Sequence, residues 1–177
     1  MIDVASNPSD AVERALDLFG NDILRLAYSY LKSREDAEDI VQDTLIRFMQ
    51  SAKSFQEEEH VKAWLLRVAS NLCKDKLRSA SRQREVALPE GYDMAAEVKE
   101  ETEESDMMQY VLNLPDKYRS VIHLYYYEEY STREIAEILE KKETTIRSLL
   151  KRGREKLAHL ISQEEKMKGD DGHAKGI

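Results

Sequence analysis

Cysteine, proline and glycine are all scarce in this chain, and each shortage removes a class of protein from consideration. The 177 residues hold one cysteine, Cys73, so no internal disulfide can staple the fold. Three prolines and six glycines supply too little of the turn punctuation that an all-β or α/β chain needs. No apolar run approaches the roughly twenty residues of a membrane-spanning helix. The start, Met1-Ile2-Asp3-Val4, lacks the basic opening and apolar stretch of a signal peptide. The four histidines, His60, His123, His159 and His173, are scattered, with no cysteine or carboxylate at metal-ligand spacing. There is also no phosphate-cradling glycine loop and no nucleophile motif around a serine. These absences leave an all-α, soluble, cytoplasmic protein. No catalytic residue, metal, cofactor, small-molecule substrate or membrane insertion is expected.

What the chain does have is charge, unevenly spread. The formal net charge is −8, which by itself argues against a nucleic-acid partner. From Glu85 to Asp106, however, nine acids face Lys99 alone, so this strip accounts for the whole excess. Elsewhere two basic stretches stand out. Residues 62–84 carry Lys62, Arg67, Lys74, Lys76, Arg78, Arg82 and Arg84 against Asp75, and residues 141–156 carry a net +5. Two basic surfaces therefore flank one acidic strip.

Apolar spacing predicts where the helices lie. Ala15, Leu16, Phe19, Ile23, Leu26, Ala27 and Tyr30 recur at three and four, predicting a helix over 11–31. Ser33-Arg34-Glu35-Asp36 fits a helix cap, and Ala37, Ile40, Val41, Leu45 and Phe48 predict a second helix over about 34–50. Periodicity lapses from Ser51 to Glu59. Val61, Trp64, Leu65, Val68, Ala69, Leu72 and Leu77 then predict a third helix to about Arg82, with Trp64 and Cys73 as core residues. The acidic strip lacks enough apolar residues to bury and reads as a mostly extended linker. Beyond it, Met107, Met108, Val111, Leu112 and Leu114 form a short helix, and Pro115 opens another with Tyr118, Val121, Ile122, Leu124 and Tyr125. Ser131-Thr132-Arg133-Glu134 is a capping box for a helix burying Ile135, Ala136, Ile138 and Leu139. After a short turn, Thr144 is placed to cap a last helix burying Ile146, Leu149, Leu150 and Leu157. Such a pair predicts a helix-turn-helix, whose second helix enters the major groove. Thr145, Arg147, Ser148, Lys151, Arg152 and Arg154 are left to face DNA, with Arg147 best placed for a bidentate guanine contact.

Six stretches carry a resemblance. Leu114-Pro115-Asp116-Lys117-Tyr118-Arg119-Ser120-Val121, Tyr126 to Ala136, Thr145-Ile146-Arg147-Ser148 and Arg152 to Leu157 closely resemble the C-terminal domain of extracytoplasmic-function sigma factors of the sigma-70 family. Asp36 to Phe48 and Ala63 to Asp75 independently resemble the N-terminal domain of the same family. The resemblance implies that the helix-turn-helix reads the minus-thirty-five promoter element. It implies that Asp39, Gln42, Asp43 and Arg47 grip the β′ coiled coil of core RNA polymerase, whose β subunit is a further partner. It also implies that the third helix and the loop before it recognise and melt the minus-ten element. Lys74, Lys76, Arg78 and Arg82 would hold the strand backbone, while Phe55, His60 and Asn71 would line a pocket for a flipped base. By the same resemblance the acidic linker enters the polymerase near the template path, and an anti-sigma factor controls the protein in the bacterial cytoplasm.

The expected organisation is a polymerase-binding and minus-ten domain over 1–84, a linker over 85–104, a helix-turn-helix domain over 105–162 and a disordered tail over 163–177. Two rivals need less of the sequence: a promoter-binding repressor or activator with an N-terminal dimerisation module, and a helical interaction protein whose basic faces meet acidic partners. Neither needs Asp36 to Phe48 followed by Trp64 to Asp75.

Overall fold

A computed structural model describes residues 2–4, 6–87 and 106–171. Seven helices are found among them, with one pair of two-residue strands. In chain order these are β1 (Ile2–Asp3), α1 (Pro8–Leu31), α2 (Arg34–Gln50), β2 (Ser54–Phe55), α3 (Glu58–Ala87), α4 (Asp106–Leu112), α5 (Asp116–Tyr126), α6 (Thr132–Leu139) and α7 (Glu143–Asp171).

The caps explain most of the boundaries. Asn7 caps α1 and Pro8 occupies its first turn, where a missing N–H costs nothing, so the helix begins a little before the apolar stripe does. Ser33 accepts from the Asp36 N–H at 3.2 Å and starts α2 where its sequence predicts. Ser131 and Glu134 form the full capping box of α6. Thr144 does not cap α7. That helix opens one residue earlier, with the Lys142 carbonyl accepting from Thr145 and Ile146, because a three-residue turn already closes the approach from α6.

Two ends run further than periodicity predicts. α3 continues to Ala87, past the expected start of the linker at 85. α7 continues to Asp171, so residues 163–171 are helical where a disordered tail was expected. The α7 extension is polar apart from Met167 and Gly169; a helix already nucleated by its packed half propagates at little cost per residue. The rest of the linker and residues 172–177 lie outside the described residues.

The N-terminal core forms where α1, α2 and α3 meet, around Phe19, Ile23, Leu26, Ile40, Phe48 and Leu65. β1 pairs antiparallel with β2, Ile2 opposite Phe55, and the Val4 N–H donates to the Lys53 carbonyl, which seats Val4 fully inside that core. Leu16, expected inward, is exposed, while Ala11, one turn before the buried Ala15, is buried. Trp64 is half-buried against Phe48 (5.6 Å between ring centroids) and Phe55 (6.2 Å). Cys73 is buried, which pushes its thiol up to about 12, as a structural and unreactive cysteine should be.

In the C-terminal half, α5 packs on α7 and α6 and also on α1. Gly153 lets α7 lie close to α5: a Cβ there would come 3.3 Å from the Ile122 side chain and 3.5 Å from the Tyr118 Cβ. A Gly153→Val variant is accordingly expected to lose about 1–3 kcal/mol through overpacking, read as a lower urea midpoint with an unchanged slope.

Candidate nucleic-acid interface

Three faces of the molecule carry the residues singled out by sequence. The first is the outer side of α2. Asp39, Gln42, Asp43 and Arg47 are all exposed there. Asp39, Gln42 and Asp43 join Leu72, Asp75 and Lys76 of α3 around an open groove of about 540 Å³. Sequence reasoning missed Ile46, which is 47% exposed and stands one turn beyond Gln42 and Asp43 on the same face, and Met49, 45% exposed, beyond it. Apolar side chains held out of the core within a polar row are what a docking face presents. The signal was available, since both fall off the stripe of Ile40, Leu45 and Phe48.

The second face is α3, and here the expected groups are not all brought together. Phe55 packs into the aromatic cluster with Phe48 and Trp64. His60 is exposed in the first turn of α3, 3.7 Å from Glu57. Asn71 lies about 16 Å further along the helix axis, so Phe55, His60 and Asn71 do not line one pocket. Instead the Asn71 amide donates to Glu140 of the C-terminal half at 3.1 Å and accepts from Lys74 at 3.3 Å. Burial and the neighbouring Lys141 charge both lower the Lys74 ammonium from its ordinary range. Lys76 turns to α2, where Asp36 (2.5 Å) and Asp39 (3.4 Å) outweigh its partial burial and raise its pKa. Arg78 is exposed beside Asp75 at 3.5 Å, and Arg82 is exposed near the helix end. Thus Arg78 and Arg82 face water, Lys76 belongs to the α2 face, and Asn71 and Lys74 are held against the other half of the chain.

The third face is α7. With Ile146 and Leu150 buried against α6, the side chains of Thr145, Arg147, Ser148, Lys151 and Arg152 are exposed. Arg147 is not idle there. Glu143 accepts from it at 2.7 Å and also from the Thr132 hydroxyl at 2.7 Å, and these two partners hold the Glu143 carboxyl below its ordinary range. The guanidinium is thereby pinned at the helix start, where a recognition helix reads base edges. The Ser148 hydroxyl donates back to the Thr144 carbonyl. Arg154, grouped with these by sequence, lies with its guanidinium over Tyr125 and Tyr126 of α5, 5.3 and 5.6 Å from their ring centres. It is a cation–π partner within the domain as well as an exposed charge.

Against known proteins, the family described as Sigma-70 region 2 matches residues 16–83, and Sigma-70, region 4 matches residues 105–157. The chain is 33% identical over 169 residues to the ECF RNA polymerase sigma factor SigW of Bacillus subtilis, covering 87% of this chain and 90% of that one. This chain belongs to the extracytoplasmic-function sigma factors of the sigma-70 family. Another relative, the ECF RNA polymerase sigma-E factor of Haemophilus influenzae, is 31% identical over 158 residues, covering 81% of the present sigma factor and 83% of that one. Among solved structures, the sigma factor RpoE in complex with the anti-sigma factor NepR from Bartonella quintana shares the fold at a TM-score of 0.65 and 23% identity, over 85% of this chain and 96% of that chain. CnrH, solved with the cytosolic domain of CnrY, does so at 0.64 and 23%, over 90% and 93%. Among the described residues of the sigma factor no helix is long and apolar enough to cross a membrane, and no group of three or more metal-ligating side chains comes together.

Proposed function

We propose that this sigma factor docks on core RNA polymerase through the outer face of α2 and directs initiation at promoters with two separate elements. α7 reads the minus-thirty-five element in the major groove, through Arg147 with Thr145, Ser148, Lys151 and Arg152. α3 and the loop before it take the minus-ten strand, with Asn71, Lys74, Arg78 and Arg82 as its contacts. The β′ coiled coil meets Asp39, Gln42, Asp43 and Arg47, joined by Ile46 and Met49, and the β subunit contacts the C-terminal half. Phosphodiester chemistry belongs to the polymerase, so the sigma factor needs no cofactor. An anti-sigma factor holds it inactive in the cytoplasm, as the complexes solved for RpoE and CnrH suggest.

The observation that supports this reading best is a pairing of faces in one chain: a polar groove with exposed apolar side chains on α2, and an exposed basic face on the second helix of a helix-turn-helix. A stand-alone repressor needs only the latter. The test is in vitro transcription from a pool of promoter fragments, with core polymerase and with or without the protein, followed by sequencing of the transcripts. A distinct promoter set used only when the protein is present supports the reading. Binding to duplex DNA without polymerase, and no added initiation, points to a conventional regulator instead.

A further inference from the structure

Among the described residues of α7, Arg147 is the only basic side chain paired with a carboxylate. Lys151 and Arg152, on the same exposed face, have no such partner, and Arg154 lies over two tyrosine rings. The distinction matters on a surface that meets DNA. An untethered cation there binds whichever phosphate is nearest, and so adds affinity on every sequence alike.

Glu143 is the first residue of α7, where the helix dipole favours an acid. Its Oε1 accepts twice, from the Arg147 Nη2 at 2.7 Å and from the Thr132 hydroxyl at 2.7 Å. Thr132 in turn is the first residue of α6, and the capping box fixes its place: the Ser131 N–H donates to the Glu134 carboxylate at 2.8 Å and the Glu134 N–H donates to the Ser131 hydroxyl at 3.3 Å. A line of contacts therefore runs from the cap of the first helix of the helix-turn-helix to the guanidinium on the second. Arg147 and Glu143 are 68% and 36% exposed, and an exposed ion pair by itself adds little stability. What the Thr132 hydroxyl adds is orientation, because it holds the carboxylate that holds the guanidinium.

Counting donors shows what this leaves free. A guanidinium has five N–H groups, of which Glu143 takes one on Nη2. The rest still include the two needed for O6 and N7 of a guanine, so the tether and a bidentate base contact are compatible. The carboxylate itself is unfavourable beside phosphates, whatever the sequence. A tethered Arg147 cannot swing out to a phosphate and offset that cost. It is offset only where a guanine edge lies within reach of a side chain whose rotamer freedom is already restricted. An unfavourable group that acts on all sequences, relieved on one, is a source of specificity.

We infer that Glu143 is a specificity-determining residue of this sigma factor: through the line Thr132–Glu143–Arg147 it withholds the arginine from phosphates and offers it to a guanine edge alone. It is a positioning residue, acting through Arg147 and reading no base itself. The inference rests on the reading of α7 as the helix that meets the minus-thirty-five element. Its consequence runs against simple electrostatics, since removing the acid should make the protein less selective by strengthening its use of the wrong promoters.

The experiment uses the full chain with core polymerase on a promoter library randomised across the minus-thirty-five element. Arg147→Ala identifies the base pair concerned. At that pair Glu143→Gln is expected to lose about three- to tenfold of the preference, chiefly because initiation rises on promoters carrying the other bases. Thr132→Val, which keeps the acid but frees it, should shift the same preference by a smaller factor. Arg147→Ala combined with Glu143→Gln should show the preference of Arg147→Ala alone, because nothing is left to position. An unchanged preference at that pair in Glu143→Gln overturns the inference, and so does an even loss across the library, which would make Glu143 merely structural. A combined variant that loses preference at a second base pair also overturns it, since Glu143 would then read a base directly. Circular dichroism checks folding, and Thr132→Val carries the test if Glu143→Gln fails to fold. Two further results strike the underlying reading and take the inference with it: no initiation by the unsubstituted protein, or a library profile that Arg147→Ala leaves unaltered.

Discussion

Transcription driven by an Arg147→Ala variant is expected to fall about ten- to a hundredfold at promoters with a recognised minus-thirty-five element. The magnitude follows from the roughly 1–3 kcal/mol that one bidentate arginine–guanine pair contributes to discrimination. Arg147 is exposed at the start of α7 and already oriented by Glu143, which Thr132 of α6 holds in turn. Its guanidinium is therefore held in place at the start of the helix, so on the proposed reading its removal should relax the preference at one base pair. Lys151→Ala and Arg152→Ala are the contrast. If they touch phosphate, each should weaken binding evenly across sequences and reduce the salt slope by about one. Measuring initiation on a promoter library at two salt concentrations separates the outcomes. A uniform loss for Arg147→Ala would show that it, too, is a backbone contact.

Phe48→Ala should be the most damaging single core truncation in the N-terminal half, costing about 3–5 kcal/mol. Phe48 is fully buried on α2 and touches both Phe55 and Trp64, at 6.0 and 5.6 Å between ring centroids. A domain of this kind has only about 5–15 kcal/mol to lose. The void would open under the helix that carries Asp39, Gln42, Asp43 and Ile46, so polymerase affinity should fall with stability. Phe48→Leu keeps most of the volume and should lose clearly less of both. Urea unfolding followed by tryptophan fluorescence reads the stability, because Trp64 lies beside the void. A Phe48→Ala protein with an unchanged midpoint would mean that the aromatic cluster is not what supports α2.

The extent to which sequence revealed the molecule depended on the range of the interaction. Ser33 and Ser131 announced helix starts because a cap is a bond between residues three apart. The stripe of Ile135, Ile138, Leu139 and Ile146 announced the helix-turn-helix for the same reason. Thr144 misled because a hydroxyl in the right place does not decide where a three-residue turn will deliver the chain. Val4 gave no local signal, since its burial depends on a pairing with residues fifty positions away.

On α3, Leu66 is fully buried although it lies off the predicted stripe, because α6 packs on that helix as well as α1 and α2. On α5, Arg119, Ser120 and His123 are buried among the expected apolar residues, because α1 covers a side that an amphipathic helix would leave to solvent. By itself the sequence determined the helices, the Ser33 and Ser131 caps, the two basic stretches and the family, since each is written in neighbouring residues or in long ordered motifs. Only the tertiary structure decided that Asn71 and Lys74 meet the C-terminal half and that Glu128 closes on Lys62 and Arg25. Those partners are separated by tens of residues, and nothing in local spacing records which distant charge a folded chain will bring to which.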